Sequence, residues 1–201
     1  FTLEKPSLIM SPAAACSNND SCFWLTDASC DLVLFNKQTT EIFPPSRFGI
    51  MRKTGIRITC LLLDRDERSV WVGYEHRGSI IPSYDKTLPY IVHFDGNTVK
   101  EKITENNGFP SYRITAIARD SSENIWFASM DRRHNGGVAV LRNTKLTKYI
   151  EDSDGKKFGA CNGLFVDKAG IVWVECVKGI ARFDGSSWKL FERAVVSPDF
   201  S

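Results

Sequence analysis

The sequence lacks the features that would indicate a membrane protein or a nucleic-acid-binding protein. No apolar run approaches the roughly 20 residues that a membrane-spanning helix needs. The formal net charge over 201 residues is only +2, so we predict neither nucleic acid nor an anionic membrane as a partner. The six cysteines form no Cys-x-x-Cys pair and no zinc-type spacing. We therefore predict no metal and no cofactor.

Catalytic motifs are scarce as well. There are three histidines, and the sequence contains no glycine-rich phosphate loop and no motif of a serine hydrolase or a zinc peptidase. Asp64 and Asp66 could suggest calcium, but the rest of an EF-hand ligand set is missing. A hairpin turn is the better interpretation of these two aspartates.

Most of the cysteines lie inside strand-like segments, where a free thiol behaves as a small buried apolar group. We therefore expect buried thiols, and Cys16 with Cys22 is the pair to examine for a disulfide. The chain begins at Phe1 without an initiator methionine or a leader, as expected for a signal-cleaved or an excised chain. The cysteines do not decide the compartment.

What the sequence does contain is a recurring pattern. Tryptophans recur at spacings of 47, 55 and 47 residues, at Trp24, Trp71, Trp126 and Trp173. An aspartate precedes three of them by six or seven residues, at Asp64, Asp120 and Asp167, and Asn18 holds that place in the first copy. A third apolar segment follows each tryptophan. Such self-similarity marks an array of one supersecondary unit, and four short strands per unit make one β-propeller blade.

We therefore predict an all-β fold, a β-propeller of about four blades with four antiparallel strands each. It spans residues 1–201 as one domain or as a fragment of a larger ring, with blades at 12–46, 57–104, 114–150 and 159–193. An open array would expose sheet edges, which natural proteins avoid. Either the four blades close on themselves, or a second copy forms a homodimer that completes the ring, or further blades of a longer chain do so.

The segment from Gly108 to Ser129, GFPSYRITAIARDSSENIWFAS, resembles the two-component regulator propeller repeat. That repeat runs Gly-Leu-Pro-Ser, then Ile-x-x-Ile, then Asp-x-x-Gly-x-Ile-Trp, and the segments that begin at Asp64 and Asp167 resemble it too. In the family, the tryptophan and the turn aspartate are structural. The resemblance implies an extracytoplasmic sensor region, periplasmic or secreted, of the kind found in hybrid histidine kinases, many of which sense glycans. Those sensors normally have many more blades.

Ligand-binding chemistry is expected where two loop insertions reach one rim of the propeller. The loops 74–89 and 130–136 follow the second strands of adjacent blades, and the connectors that carry Arg57 and Arg113 open on the same rim. Aromatic rings with arginine and asparagine suit an oligosaccharide or an anionic small molecule. The predicted ligand-binding residues are Tyr74, His76, Arg77, Tyr84, Arg113, Arg132, Arg133, His134 and Asn135. The alternative is that these residues form ordinary solvated loops.

A non-enzymatic ligand-binding sensor is thus the first prediction, and two other functions stay open. Streptogramin lyases are propellers of similar repeat style that use histidines around the mouth, but His76 and His134 have only Glu75 and Asp131 as evident neighbouring carboxylates. A protein-docking scaffold would instead carry an apolar patch on the rim. The segments 48–51 and 80–82 are the candidates for such a patch.

Overall fold

The structure is a computed structural model. It describes residues 15–19, 22–27, 29–36, 38–50, 55–66, 68–76, 87–107, 113–130 and 136–193, without the side chains of residues 15–22 and 36. This part of the chain forms sixteen β-strands and two short 3₁₀ turns, Pro45–Phe48 and Glu105–Asn107. The predicted all-β fold is confirmed. No helix in these ranges is long and apolar enough to cross a membrane.

The chain divides after Ile117 into two compact units. The first unit contains two groups of four antiparallel strands, each in sequential order, which we call blades 1 and 2. Blade 1 consists of β1 (Ala15–Asn19), β2 (Cys22–Thr26), β3 (Leu32–Asn36) and β4 (Thr40–Phe43). Blade 2 consists of β5 (Ile56–Leu63), β6 (Val70–His76), β7 (Pro89–Phe94) and β8 (Val99–Thr104).

Most of the second unit consists of two further groups, blades 3 and 4. Blade 3 consists of β9 (Arg113–Arg119), which begins in the first unit, β10 (Ile125–Met130), β11 (Gly136–Arg142) and β12 (Lys145–Tyr149). Blade 4 consists of β13 (Cys161–Val166), β14 (Val172–Cys176), β15 (Gly179–Phe183) and β16 (Trp188–Glu192). In all four blades the recurring tryptophan lies in the second strand.

Aromatic side chains form the core of the first unit. The ring of Phe94 lies 4.9 Å from that of Phe43, 5.2 Å from that of Phe48 and 6.1 Å from that of Trp24. Gly49, with a φ of 81°, ends the 3₁₀ turn after Phe48. Phe48 and Ile50 are 1% and 0% exposed, so the prediction of an apolar surface patch there is wrong for these two residues. Met51 and residues 80–82 lie outside the described residues.

The core of the second unit is a separate aromatic cluster between blades 3 and 4. Trp126 of β10 lies 5.4 Å from Phe183 and 6.1 Å from Trp188, between ring centroids. Tyr149 and Phe158 also pack against Trp188, at 5.5 and 5.2 Å. Burial of such large rings contributes most of the driving force for packing one blade on the next.

The same five-residue aspartate turn occurs four times in the part of the chain that the structure describes. In each copy the aspartate N–H donates to the carbonyl four residues on, and its carboxylate accepts from two backbone N–H groups of the turn. The fourth residue always has positive φ. The copies are 27–31, 120–124, 152–156 and 167–171. Asp95-Gly96 and Asp184-Gly185 form shorter turns.

Candidate functional site

The turn aspartates of blades 3 and 4 also hold the tryptophans. The indole Nε1–H of Trp126 donates to Asp120 Oδ2 at 2.8 Å, and that of Trp173 donates to Asp167 Oδ2 at 2.9 Å. One carboxylate thus satisfies both the tight turn and the polar end of a tryptophan in the next strand. These contacts give the two residue types a structural role in the second unit.

In blade 2 the turn is one residue longer, and different residues bind the turn backbone and the aromatic side chains. Asp66 accepts hydrogen bonds from the backbone N–H groups of Arg68 and Ser69. Asp64 Oδ2 instead lies 2.8 Å from His93 Nε2. The ring of His93 stacks on Trp71, with centroids 4.2 Å apart and planes at 9°. The predicted hairpin turn is present, and Asp66, rather than Asp64, is its main acceptor.

Two of the predicted ligand-binding residues are buried at the end of β6. Tyr74 is 0% exposed and packs in the core of the first unit, and burial raises the pKa of its hydroxyl. His76 is 5% exposed, its Nε2 lies 2.9 Å from the Pro89 carbonyl oxygen, and burial lowers its pKa. Both side chains are thus buried within the fold, at the C-terminal end of β6. A direct contact of either residue with a ligand stays a prediction.

Between these two residues, Glu75 is the centre of a charged cluster. The β5–β6 ladder places Arg57 opposite Glu75, and a single bridge between β6 and β9 places Arg113 opposite Glu75 on the other side. Arg113 Nε lies 3.9 Å from Glu75 Oε2. The Glu75 side chain is only 5% exposed, whereas that of Arg113 is 38% exposed. We call Arg57, Glu75 and Arg113 the arginine–glutamate cluster.

The cluster has two guanidinium groups and one carboxylate, so one of its two positive charges is not balanced by a carboxylate within the cluster. A buried carboxylate needs a partner, and Glu75 has one in Arg113. Arg57 is exposed, and its planar fork can bind a carboxylate or a sulfate through two parallel hydrogen bonds. The sequence pattern identified Arg113 as a ligand-binding residue, whereas Glu75 was noted only as a carboxylate beside His76. The available signal was one carboxylate within the otherwise apolar run of β6.

Arg77, Tyr84, Arg132, Arg133, His134 and Asn135 lie outside the described residues. Among the residues that the structure does describe, no group of three or more His, Cys, Asp or Glu side chains could hold a metal ion.

One face of blade 4 is open to solvent. Phe165, Ile180 and Phe191 are 62%, 51% and 47% exposed, and a groove beside them is lined by Trp173 and Glu175. Trp173 holds the place in blade 4 that Trp126 holds in blade 3. The open face is therefore the repeat equivalent of the blade 3 face that blade 4 covers. Ordinary blade packing accounts for its apolar character without any ligand.

Comparison with known proteins agrees with this architecture. Residues 108–131 match the family model described as the two component regulator propeller. The comparison with curated proteins found no match.

Several solved structures are similar to this chain at low identity. One is described as the extracellular domain of a hybrid two-component system from B. thetaiotaomicron, with 16% identity and a TM-score of 0.50 over 92% of this chain and 31% of that one. The WD40 repeats of RRP9 share 11% identity with a TM-score of 0.59, over 92% and 52% of the two chains. A structure described as a 6-phosphogluconolactonase from Bacteroides uniformis shares 12% identity, with a TM-score of 0.56 over 93% and 56%.

At these identities the similarity establishes the fold alone. This chain spans about a third of the length of the extracellular domains that it matches. The repeated strands, the turn aspartates that hold tryptophans and the family match agree with one another. The chain has a β-propeller fold, and its residues 108–131 match the model of the two component regulator propeller.

Proposed function

We propose that this chain is the ligand-binding part of an extracytoplasmic sensor of the two-component type and has no catalytic activity of its own. The family match at residues 108–131 supports the regulatory role. The similarity to a structure described as an extracellular domain of a hybrid two-component system supports the location. Binding of the ligand is the function of the propeller, and passing the signal on belongs to other parts of the system.

The arginine–glutamate cluster is the observation that carries the ligand proposal. It lies where β5, β6 and β9 meet. Arg57 is exposed and the Arg113 side chain is partly exposed, next to a buried carboxylate. Glu75 orients Arg113, and the excess positive charge attracts an anion. The ligand class is therefore an acidic oligosaccharide or a small organic acid, bound through its carboxylate or sulfate groups.

The described histidines favour binding over catalysis. His76 is 5% exposed and its Nε2 contacts a backbone carbonyl. His93 stacks on Trp71 and faces the Asp64 carboxylate in a hairpin. Neither imidazole is presented to a cleft as a general base would be. One similar structure is described as a 6-phosphogluconolactonase. The contacts of His76 and His93 in this chain provide no catalytic group for such a reaction.

Titration calorimetry tests the proposal with oligogalacturonate, sulfated chondroitin disaccharides and, as the neutral comparison, maltooligosaccharides. We expect an acidic sugar to bind, with an affinity that falls as salt is raised. Arg57→Ala and Arg113→Lys should each weaken binding by about 10-fold or more, because a charge-assisted bidentate contact is lost. Arg113→Lys keeps a cation beside the buried Glu75 and so protects the fold.

Arg182→Ala is the matched control, because Arg182 also lies near a carboxylate, with 3.5 Å between its Nη1 and Asp184 Oδ2, but in blade 4. Its binding should equal that of the wild type. The proposal is wrong if none of the acidic sugars binds, or if the Arg57 and Arg113 variants bind them as well as the wild type does.

A further inference from the structure

Two buried cysteines face each other in blade 4. Cys161 of β13 and Cys176 of β14 are directly opposite in the antiparallel ladder, and their Sγ atoms are 3.3 Å apart. The two residues are 0% and 1% exposed. We propose that Cys161 and Cys176 form a disulfide that joins β13 to β14 when the protein folds in an oxidising compartment.

The backbone position favours this bond. In the neighbouring pair, the Val177 N–H donates to the Ala160 carbonyl at 2.8 Å. Hydrogen-bonded and non-hydrogen-bonded pairs alternate in an antiparallel ladder, and side chains approach more closely in the latter. Cys161 and Cys176 take the position after a hydrogen-bonded pair, where the Cα separation of about 4.5 Å lies inside the range of natural disulfides.

Repeat equivalence shows that the two thiols are a property of blade 4. In blade 2 the equivalent pair is Tyr74 opposite Ile58. Tyr74, like Cys176, lies three residues after the tryptophan, and both pairs lie next to a register shift of the ladder. In that blade a ring and a branched chain fill the space. Blade 4 has a sulfur at both positions, so a single covalent bond can replace the packing that the larger side chains provide.

The bond forms by exchange with a small-molecule disulfide such as oxidised glutathione. One cysteine thiolate attacks the glutathione disulfide and expels a glutathione thiolate, and the second cysteine thiolate then attacks the mixed disulfide and expels the other. Two S–H bonds are lost and one S–S bond is gained in the protein, while two electrons and two protons pass to two glutathione molecules.

The timing follows from burial. Two effects raise the pKa of Cys161 in the folded chain: the hydrogen bond with Cys176, which is the larger, and burial. The thiolate is the reactive form, so the folded pair reacts slowly. Exchange is therefore expected while β13 and β14 are still pairing, and the finished bond is then shielded from reductants.

Peptide mapping tests the bond directly. Trypsin cuts after Lys157, Lys168 and Lys178, so Cys161 and Cys176 fall on separate peptides, 158–168 and 169–178, each with one cysteine. The wild-type chain is refolded in oxidised and reduced glutathione, alkylated and digested without reductant. We expect the two peptides to be recovered linked, about 2 Da lighter than their sum, and to separate after reduction.

Thermal unfolding provides the second measurement. Closing a loop of this length should raise the melting temperature of the oxidised chain over the reduced chain by roughly 5 to 10 °C. Cys161→Ala should abolish both the linked peptide and the effect of reductant. Cys30→Ser is the matched control and should keep both, because the Cys30 thiol donates to the Ile56 carbonyl and not to another cysteine.

Folding is checked by circular dichroism in every sample. Recovery of peptides 158–168 and 169–178 as separate free thiols, from a folded wild-type chain refolded in the glutathione mixture, would overturn the proposal. Linkage of either cysteine to a different one would do so too. If Cys161→Ala does not fold, the peptide map of the wild-type chain still distinguishes a linked pair from two free thiols.

Discussion

Trp126 and Trp173 occupy the same position in consecutive blades, yet their surroundings differ. Each indole donates to the aspartate six residues earlier, and each ring has an arginine guanidinium above it, Arg142 at 5.7 Å and Arg182 at 5.9 Å. Trp126 is 1% exposed, because Phe183 and Trp188 of blade 4 cover it. Trp173 lies on the open face, beside Phe165, which is 62% exposed.

Two contributions to the stability of each tryptophan differ in origin: one comes from its own blade and the other from the next blade. The hydrogen bond to the aspartate and the position in the second strand come from the blade's own residues, and both tryptophans have them. Burial by the next blade is a second contribution, and of these two tryptophans only Trp126 has it within the described residues.

The largest difference is expected from removal of the two rings. Trp126→Ala should lower the free energy of unfolding by about 3–5 kcal/mol, because it leaves a cavity in the aromatic cluster. Trp173→Ala should cost about 1–2 kcal/mol, since Trp173 is only partly buried. Urea unfolding followed by circular dichroism measures both. Equal losses would show that another surface covers the Trp173 face in solution.

The turn aspartates should differ less. The Asp120 carboxylate accepts from two backbone N–H groups, from the Asn124 side chain and from Trp126, so Asp120→Ala should cost about 2 kcal/mol. Asp167 accepts from two backbone N–H groups and from Trp173, and Asp167→Ala should cost less. The same urea experiment ranks the two variants. A larger loss for Asp167→Ala would contradict the role of burial.

Both aspartates also predict a loss of stability in acid. Burial works against ionisation of Asp120, but the hydrogen bonds from Trp126 and Asn124 outweigh it and lower its pKa. The hydrogen bond from Trp173 is the main cause of the lowered pKa of Asp167. A carboxyl whose pKa is lower in the folded state stabilises the fold fully above its unfolded pKa of about 3.9 and loses that effect as pH falls. Urea unfolding between pH 6 and 3 should therefore show falling stability, less steeply in Asp120→Ala.

The smallest effects are expected at the fourth residue of the two turns. Glu123 has a φ of 65° in blade 3, and Gly170 has a φ of 81° in blade 4. Glu123→Gly should stabilise the chain by about 0.5–1 kcal/mol, and Gly170→Ala should destabilise it by about 1 kcal/mol, because only glycine adopts this conformation without strain. Glu123→Ala is the control, since it removes the exposed contact with Arg119 but keeps the strain. It should change little, and a gain equal to that of Glu123→Gly would refute the argument.

Local patterns predicted the repeat. Trp126 in the second strand of its blade and Asp120 in the turn before it were both recognisable, because strand alternation and turn chemistry depend on neighbours in the chain. The same reasoning placed Phe48 on the surface and was wrong, because a 3₁₀ turn that ends at Gly49 directs its ring onto Phe94. An apolar residue in a connector does not reveal from sequence which core is within reach.

The all-β fold, the recurring second-strand tryptophan and the aspartates that close the turns can be predicted from the sequence, since each depends on residues within one hairpin. Which tryptophan face is covered, and the position of Glu75 between Arg57 and Arg113, are seen only in the folded chain. The same is true of the burial of Tyr74 and His76 and of the pairing of Cys161 with Cys176. Strand register and the packing of one blade on another bring together residues far apart in the chain, and no local pattern records those distances.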